Sequence, residues 1–145
     1  GGAIPMALGL AMAQPEKRVL VATGDAETLM GVGSLATVAV QAPDNLAIAV
    51  FDNERYGETG MQATATAHKA DLAAIARGSG IPVAATVTDQ AELDAAMPVM
   101  LTQPGPSVTV IKIRAEPLPF VLPPKDGAYL KDRFRVALLG SAGIV

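Results

Sequence analysis

The sequence predicts an α/β fold, a three-layer α/β/α, doubly wound and mainly parallel sheet. Two observations predict it. Short, continuous apolar runs alternate along the chain with segments of helical composition. Strands separated by helices in this way pair in parallel through crossover connections.

Each element follows from local composition. Ile4 to Ala13 is rich in Ala, Leu and Met and suits a buried helix, with Gln14-Pro15-Glu16-Lys17 as its exit turn. Arg18 to Thr23 is a short apolar run of the kind expected in a strand covered on both faces. Glu27 to Gln41 has the apolar density of one helix, in which Gly31, Gly33 and Ala36 allow a neighbour to come close. Pro43-Asp44-Asn45 then turns into a second buried strand, Leu46 to Phe51. Asp71 to Arg77 forms a short helix stopped by Gly78-Ser79-Gly80, and Val83 to Val87 is the third strand. Thr88 or Asp89 caps a helix that has Glu92 in its first turn and runs to about Leu101. Pro104-Gly105-Pro106 leads into the fourth strand, Ser107 to Ile113, rich in β-branched residues. The tail differs: Glu116 to Pro124 carries four prolines and should be extended, before a last helix from about Ala128 to Leu139. No internal repeat or second domain is visible, so residues 1–145 read as one domain with 116–145 as its tail.

Composition narrows the function. At 145 residues the chain can bury a proper core, and with only two Tyr and three Phe that core must be aliphatic. A net charge of −3 offers no basic footprint for nucleic acid. The absence of Cys excludes disulfides and thiolate metal sites, and a single His excludes a multi-histidine cluster. No apolar run approaches membrane-spanning length, and Gly1-Gly2-Ala3-Ile4-Pro5-Met6 lacks the basic start of a signal peptide. A cytoplasmic location is expected. Because that opening also lacks a start Met, the N-terminus is expected to be incomplete.

The chemistry gathers between Thr23 and Gln62. Thr23-Gly24-Asp25-Ala26-Glu27 follows the first strand, and Asp52-Asn53-Glu54-Arg55-Tyr56-Gly57-Glu58-Thr59-Gly60 follows the second. In open parallel sheets, ligands bind beyond the carboxyl ends of the strands. Asp25 also stands at a helix entry, whose free N–H groups favour phosphate. A carboxylate from Asp25, a carboxamide from Asn53 and a backbone carbonyl near Arg55 would suit Mg²⁺, which shares oxygen ligands with phosphates. Gly57 and Gly60 mark a loop where backbone passes close to something. Each residue also has an ordinary role: Asp25 as a helix cap, Asp52-Asn53 as a turn, Glu27 as a first-turn acid.

Gly24-Asp25-Ala26, followed after a helix and a strand by Asp52-Asn53, resembles the two-part thiamine diphosphate-binding motif that opens on GDG and closes on paired asparagines. Leu29 to Thr37, Phe51 to Gly60, Asp71 to Ala76 and the late Asp126-Gly127 with Lys131 to Arg135 look like the cofactor-binding part of sulfopyruvate and phosphonopyruvate decarboxylases. The resemblance spans nearly the whole chain. It implies a thiamine diphosphate-binding fold and decarboxylation of a small, strongly anionic 2-oxo acid. It assigns Asp25, Asn53 and the Arg55 carbonyl to Mg²⁺, and Gly24, Ala26, Glu27, Tyr56, Gly57, Glu58 and Thr59 to the cofactor's surroundings. Two positions depart from the pattern, Ala26 for the last Gly and Asp52 for the first Asn; neither is among the implied metal ligands.

The resemblance also implies an oligomer in which a pyrimidine-binding subunit or domain supplies an activating Glu, so this chain alone should be inactive. Two other outcomes fit the same residues: carboligation of the acetolactate synthase type, or a non-catalytic subunit that keeps the fold. Gly60 and Gln62 could border the entrance or be plain loop, and His68 and Lys69 could meet an anionic substrate, although a solvated loop explains them better. Tyr129, Lys131, Arg133 and Arg135 fall on the last helix, on a solvated or subunit-facing side.

Overall fold

Helices stack on a four-stranded, wholly parallel sheet of order β1-β2-β6-β5. This is a computed structural model, and it describes residues 1–116, 119 and 121–143. The sheet strands are β1 (Val19–Gly24), β2 (Leu46–Asp52), β5 (Val83–Val87) and β6 (Ser107–Lys112). The helices are α1 (Ala3–Ala13), α2 (Asp25–Met30), α3 (Ser34–Gln41), α4 (Leu72–Gly78), α5 (Gln90–Leu101) and α6 (Gly127–Leu139). Two-residue strands β3 (Arg55–Tyr56) and β4 (Gln62–Ala63) form a separate antiparallel ribbon that the sequence did not announce.

The pleat sorts β2 between two cores. Leu46, Ile48 and Val50 face one side, where they pack with Val108 and Val110 under α1, α3 and α4. Ala47 and Ala49 face the other side and meet Ile111 and Met100, with Leu93 and Ala96 of α5 against them. Ile48 and Val50 are fully buried, each worth roughly 2 kcal/mol in apolar area removed from water. Only β2 and β6 are buried on both faces. β1 and β5 are the edges, and Leu20, Ala22 and Val83 are exposed, contrary to the expectation that β1 is covered on both sides. The reason is that α5 is the sole helix on that face among the described residues.

The expected single helix from Glu27 to Gln41 is two. Gly31 passes so close to Gly1 that a Cβ there would collide with the Gly1 carbonyl, and the chain breaks at residues 31–33 before α3 begins. Caps follow the sequence more closely. Asp71, Asp89 and Asp126 each accept a backbone N–H at the start of α4, α5 and α6, from Ala74, Glu92 and Tyr129. Glu92 reaches back to the Thr88 N–H at 2.7 Å. At the opposite end of α5, Arg18 donates to the Met100 and Val99 carbonyls at 3.1 and 2.8 Å and so ties the start of β1 to the helix terminus. A Cβ at Gly105 would strike the Leu46 carbonyl, which accounts for glycine in the turn before β6.

The expected extended segment Glu116 to Pro124 falls partly on residues 117, 118 and 120, which lie outside the described residues. Helix α6 has no buried residue, and Lys131 and Arg133 are exposed on this chain, while Arg135 donates to the Gly143 carbonyl at 3.0 Å. No described helix is long and apolar enough to cross a membrane.

Candidate functional site

The carboxyl ends of β1 and β2 open into a cleft of about 690 Å³. From the first strand end come Thr23, Gly24, Asp25, Ala26 and Glu27; from the second come Asn53, Arg55, Tyr56, Gly57, Glu58 and Thr59. Met30, Phe51 and Ile113 add apolar wall. All the residues that the sequence assigned to a cofactor or metal therefore surround one cleft. Gly60, Gln62, His68 and Lys69 do not line it; Gln62 instead accepts from the Thr59 hydroxyl at 3.0 Å. Gly57 has no neighbour within 3.9 Å of where a Cβ would sit, so no described atom demands glycine there.

Asp25 is the first residue of α2 and is only 2 % exposed. Its Oδ2 accepts from the hydroxyls of Thr64 and Thr66 at 2.6 and 2.9 Å. Its Oδ1 has no hydrogen-bond partner among the described residues, and the residue lines the cleft. A buried carboxylate held by one oxygen and free at the other is oriented for a cation.

The second half of the site is a tight turn. The Asn53 side-chain oxygen accepts the Arg55 N–H at 3.0 Å, an Asx-type turn that keeps one lone pair spare. Glu54 takes a left-handed φ of 59° to complete the reversal. The Thr64 N–H bonds the Glu54 carbonyl at 3.1 Å, which makes Arg55 and Ala63 a non-hydrogen-bonded pair of the ribbon. The Arg55 carbonyl is thus left out of the ladder.

These donors are all oxygens, of the kind hard divalent cations take. Among the described residues no three His, Cys, Asp or Glu side chains converge as a metal centre. A cation in this cleft would therefore need carboxamide, carbonyl, phosphate or water oxygens beside the Asp25 carboxylate, and the first two are present.

Asp52 lies beneath this turn, 2 % exposed, in register with Lys112 on β6. Its Oδ2 accepts from Lys112 Nζ at 2.9 Å, and its Oδ1 lies 2.8 Å from the Thr66 hydroxyl, whose single proton it shares with Asp25 Oδ2. Lys112 also pairs with Glu54 at 2.7 Å. Burial pulls the Lys112 ammonium toward neutrality, but hydrogen bonds and attraction from Glu54 and Asp52 outweigh it and hold its pKa above 10.5.

Glu27 is held rather than free. Its carboxylate accepts the Ala3 N–H at 2.9 Å and bonds the Thr23 hydroxyl. Burial pushes this carboxyl up, while the Ala3 N–H and the Thr23 hydroxyl pull it down, leaving it below its ordinary 4.5. A depressed carboxyl contributes stability above its unfolded pKa and loses it as pH falls through the folded one. Glu27→Gln should therefore flatten the loss of thermal stability on acidification below about pH 4.5. A melting series from pH 3 to pH 7 that is superimposable on the parent's would refute the role.

Thr64, Thr66 and Lys112 were missed by sequence reasoning. Their only trace is Thr64-Ala65-Thr66 in a polar connection and a Lys at the end of an apolar strand, both too common to single out.

Fold and cleft together define an α/β cofactor-binding domain with its site at the carboxyl edge of a parallel sheet. The chain belongs to the family of the thiamine pyrophosphate enzyme, C-terminal TPP binding domain, whose model matches residues 1–111. It is 46 % identical over 83 residues to sulfopyruvate decarboxylase subunit beta of Methanothermobacter thermautotrophicus, covering 57 % of this chain and 44 % of that protein. It is 36 % identical over 136 residues to phosphonopyruvate decarboxylase of Streptomyces viridochromogenes, covering 93 % of this chain and 34 % of that one. The chain thus spans less than half the length of these curated relatives. Among solved structures, the thiamine diphosphate-dependent 4-hydroxybenzoylformate decarboxylase of Rhodococcus jostii RHA1 shares the fold, with a TM-score of 0.58 and 21 % identity over 77 % of this chain and 22 % of that one.

Proposed function

We propose that this chain is the diphosphate-binding part of a thiamine diphosphate-dependent decarboxylase acting on a small, strongly anionic 2-oxo acid of the sulfopyruvate or phosphonopyruvate type. The observation that supports it is that Asp25, Asn53 and Arg55 line one cleft, with the Arg55 carbonyl left out of the β3–β4 ladder, in a chain of the thiamine pyrophosphate family. In this reading those three groups hold Mg²⁺, and the metal holds the diphosphate. Gly24, Ala26 and the turn from Tyr56 to Thr59 border the cofactor, and Met30, Phe51 and Ile113 give it an apolar wall. When bound, the cofactor supplies the electron sink for loss of CO₂. This chain's own residues bind and orient; the activating Glu belongs to a pyrimidine-binding subunit or domain. The relative named as a beta subunit supports a partner chain, and both named relatives support the substrate class. The assembly is a cytoplasmic oligomer.

Native mass spectrometry of the protein purified from its own host tests the proposal. A complex that carries a second chain or domain together with thiamine diphosphate and Mg²⁺ is the expected result. An assembly that stays cofactor-free when both are added would overturn it in favour of a non-catalytic subunit.

A further inference from the structure

Two threonines on one short segment touch both halves of the site. Thr64 and Thr66 flank the start of a 3₁₀ turn, Ala65–Ala67, directly after β4. Both are buried, at 1 % and 7 % exposure. Thr64 bonds Asp25 through its hydroxyl and the Glu54 carbonyl through its N–H. The Thr66 hydroxyl lies 2.9 and 2.8 Å from Asp25 Oδ2 and Asp52 Oδ1, either of which can take its one proton, and 2.9 Å from the Thr64 hydroxyl. The strand end that carries Asp25 and the turn that carries Asn53 and Arg55 are thus tied through a segment that belongs to neither. A hydroxyl is small and neutral, and its one proton can go to either side, so it can sit between two carboxylates that would otherwise repel across the same gap.

We propose that Thr64 and Thr66 are positioning residues for the metal: they occupy Asp25 Oδ2, turn its Oδ1 to the cleft, and set its separation from Asn53 and the Arg55 carbonyl. The inference rests on the Mg²⁺ assignment made above. Groups that orient a metal ligand typically cost 10–100-fold in metal affinity when lost. Thr66 is the informative member, because it alone contacts both carboxylates.

The test uses the full-length protein assembled with its partner. Mg²⁺ is titrated at saturating thiamine diphosphate, and binding is followed by calorimetry in the parent, Asp25→Ala, Thr66→Val and Thr66→Ser. The parent should bind, Asp25→Ala should not, Thr66→Val should need roughly 10–100-fold more Mg²⁺, and Thr66→Ser should return to within a few-fold of the parent. If the parent itself fails to bind, the underlying assignment falls. If the parent binds and Asp25→Ala does not, while folded Thr66→Val needs no more Mg²⁺ than the parent, this inference alone falls. Should Thr66→Val not fold, Thr66→Ala, which leaves room for water, is read in the same titration. If neither hydroxyl-free variant folds while Thr66→Ser does, the hydroxyl serves folding and the positioning role is rejected.

Discussion

Replacing Asp25 with alanine is expected to abolish thiamine diphosphate-dependent activity of the assembled enzyme while leaving its fold intact. Asp25 Oδ1 is a carboxylate oxygen of this cleft's lining without a hydrogen-bond partner among the described residues. Its loss removes the one charged ligand proposed for the metal, so Mg²⁺ affinity should fall by more than the roughly 100-fold that supporting groups cost. The fold should survive because Thr64 and Thr66 can still bond each other, and Thr66 can still bond Asp52. Steady-state decarboxylation, with circular dichroism on the same sample, is the check. Undiminished activity in a folded variant would remove Asp25 from the metal site.

Lys112→Met is expected to destabilise the protein by roughly 3 kcal/mol, at the lower end for breaking a buried ion pair because the ammonium keeps partial contact with water. The damage comes from what stays behind. Asp52 would be left buried with a hydroxyl and a backbone N–H but no cation. Removing that charge as well, in Asp52→Asn with Lys112→Met, should recover most of the loss. Urea unfolding of the four members of this cycle measures it, and a double variant no more stable than Lys112→Met would refute the pairing. The sign with pH is set by the raised Lys112 pKa: its contribution is complete at neutral pH and fades only as pH climbs through that value, above 10.5.

The sheet was legible because β2 and β6 are continuous apolar runs, and only burial on both faces makes such runs favourable. Asp25 and Asn53 were legible as polar residues directly after the apolar runs of β1 and β2. What escaped was set by contacts distant in sequence. The break between α2 and α3 depends on Gly31 meeting Gly1, and the exposure of Leu20 depends on which face α5 covers. The link from Asp25 to Thr64 and Thr66 spans about 40 positions (39 and 41). No local pattern encodes such a pairing, since a threonine in a polar loop looks the same whether it caps a turn or grips a carboxylate. Asp52 looked like a tolerated departure from a motif, and the structure gives it a partner 60 residues away.

Asp52 and Lys112 stand opposite each other in register on adjacent strands, and this makes the order of mutation matter. A lineage that changes Asp52 to a neutral amide first keeps Lys112 paired with Glu54 and can then lose the lysine at little cost. A lineage that loses Lys112 first passes through a state with an uncompensated charge inside the sheet. Of the two single steps between the charged pair and a neutral one, only the first lies on a passable route.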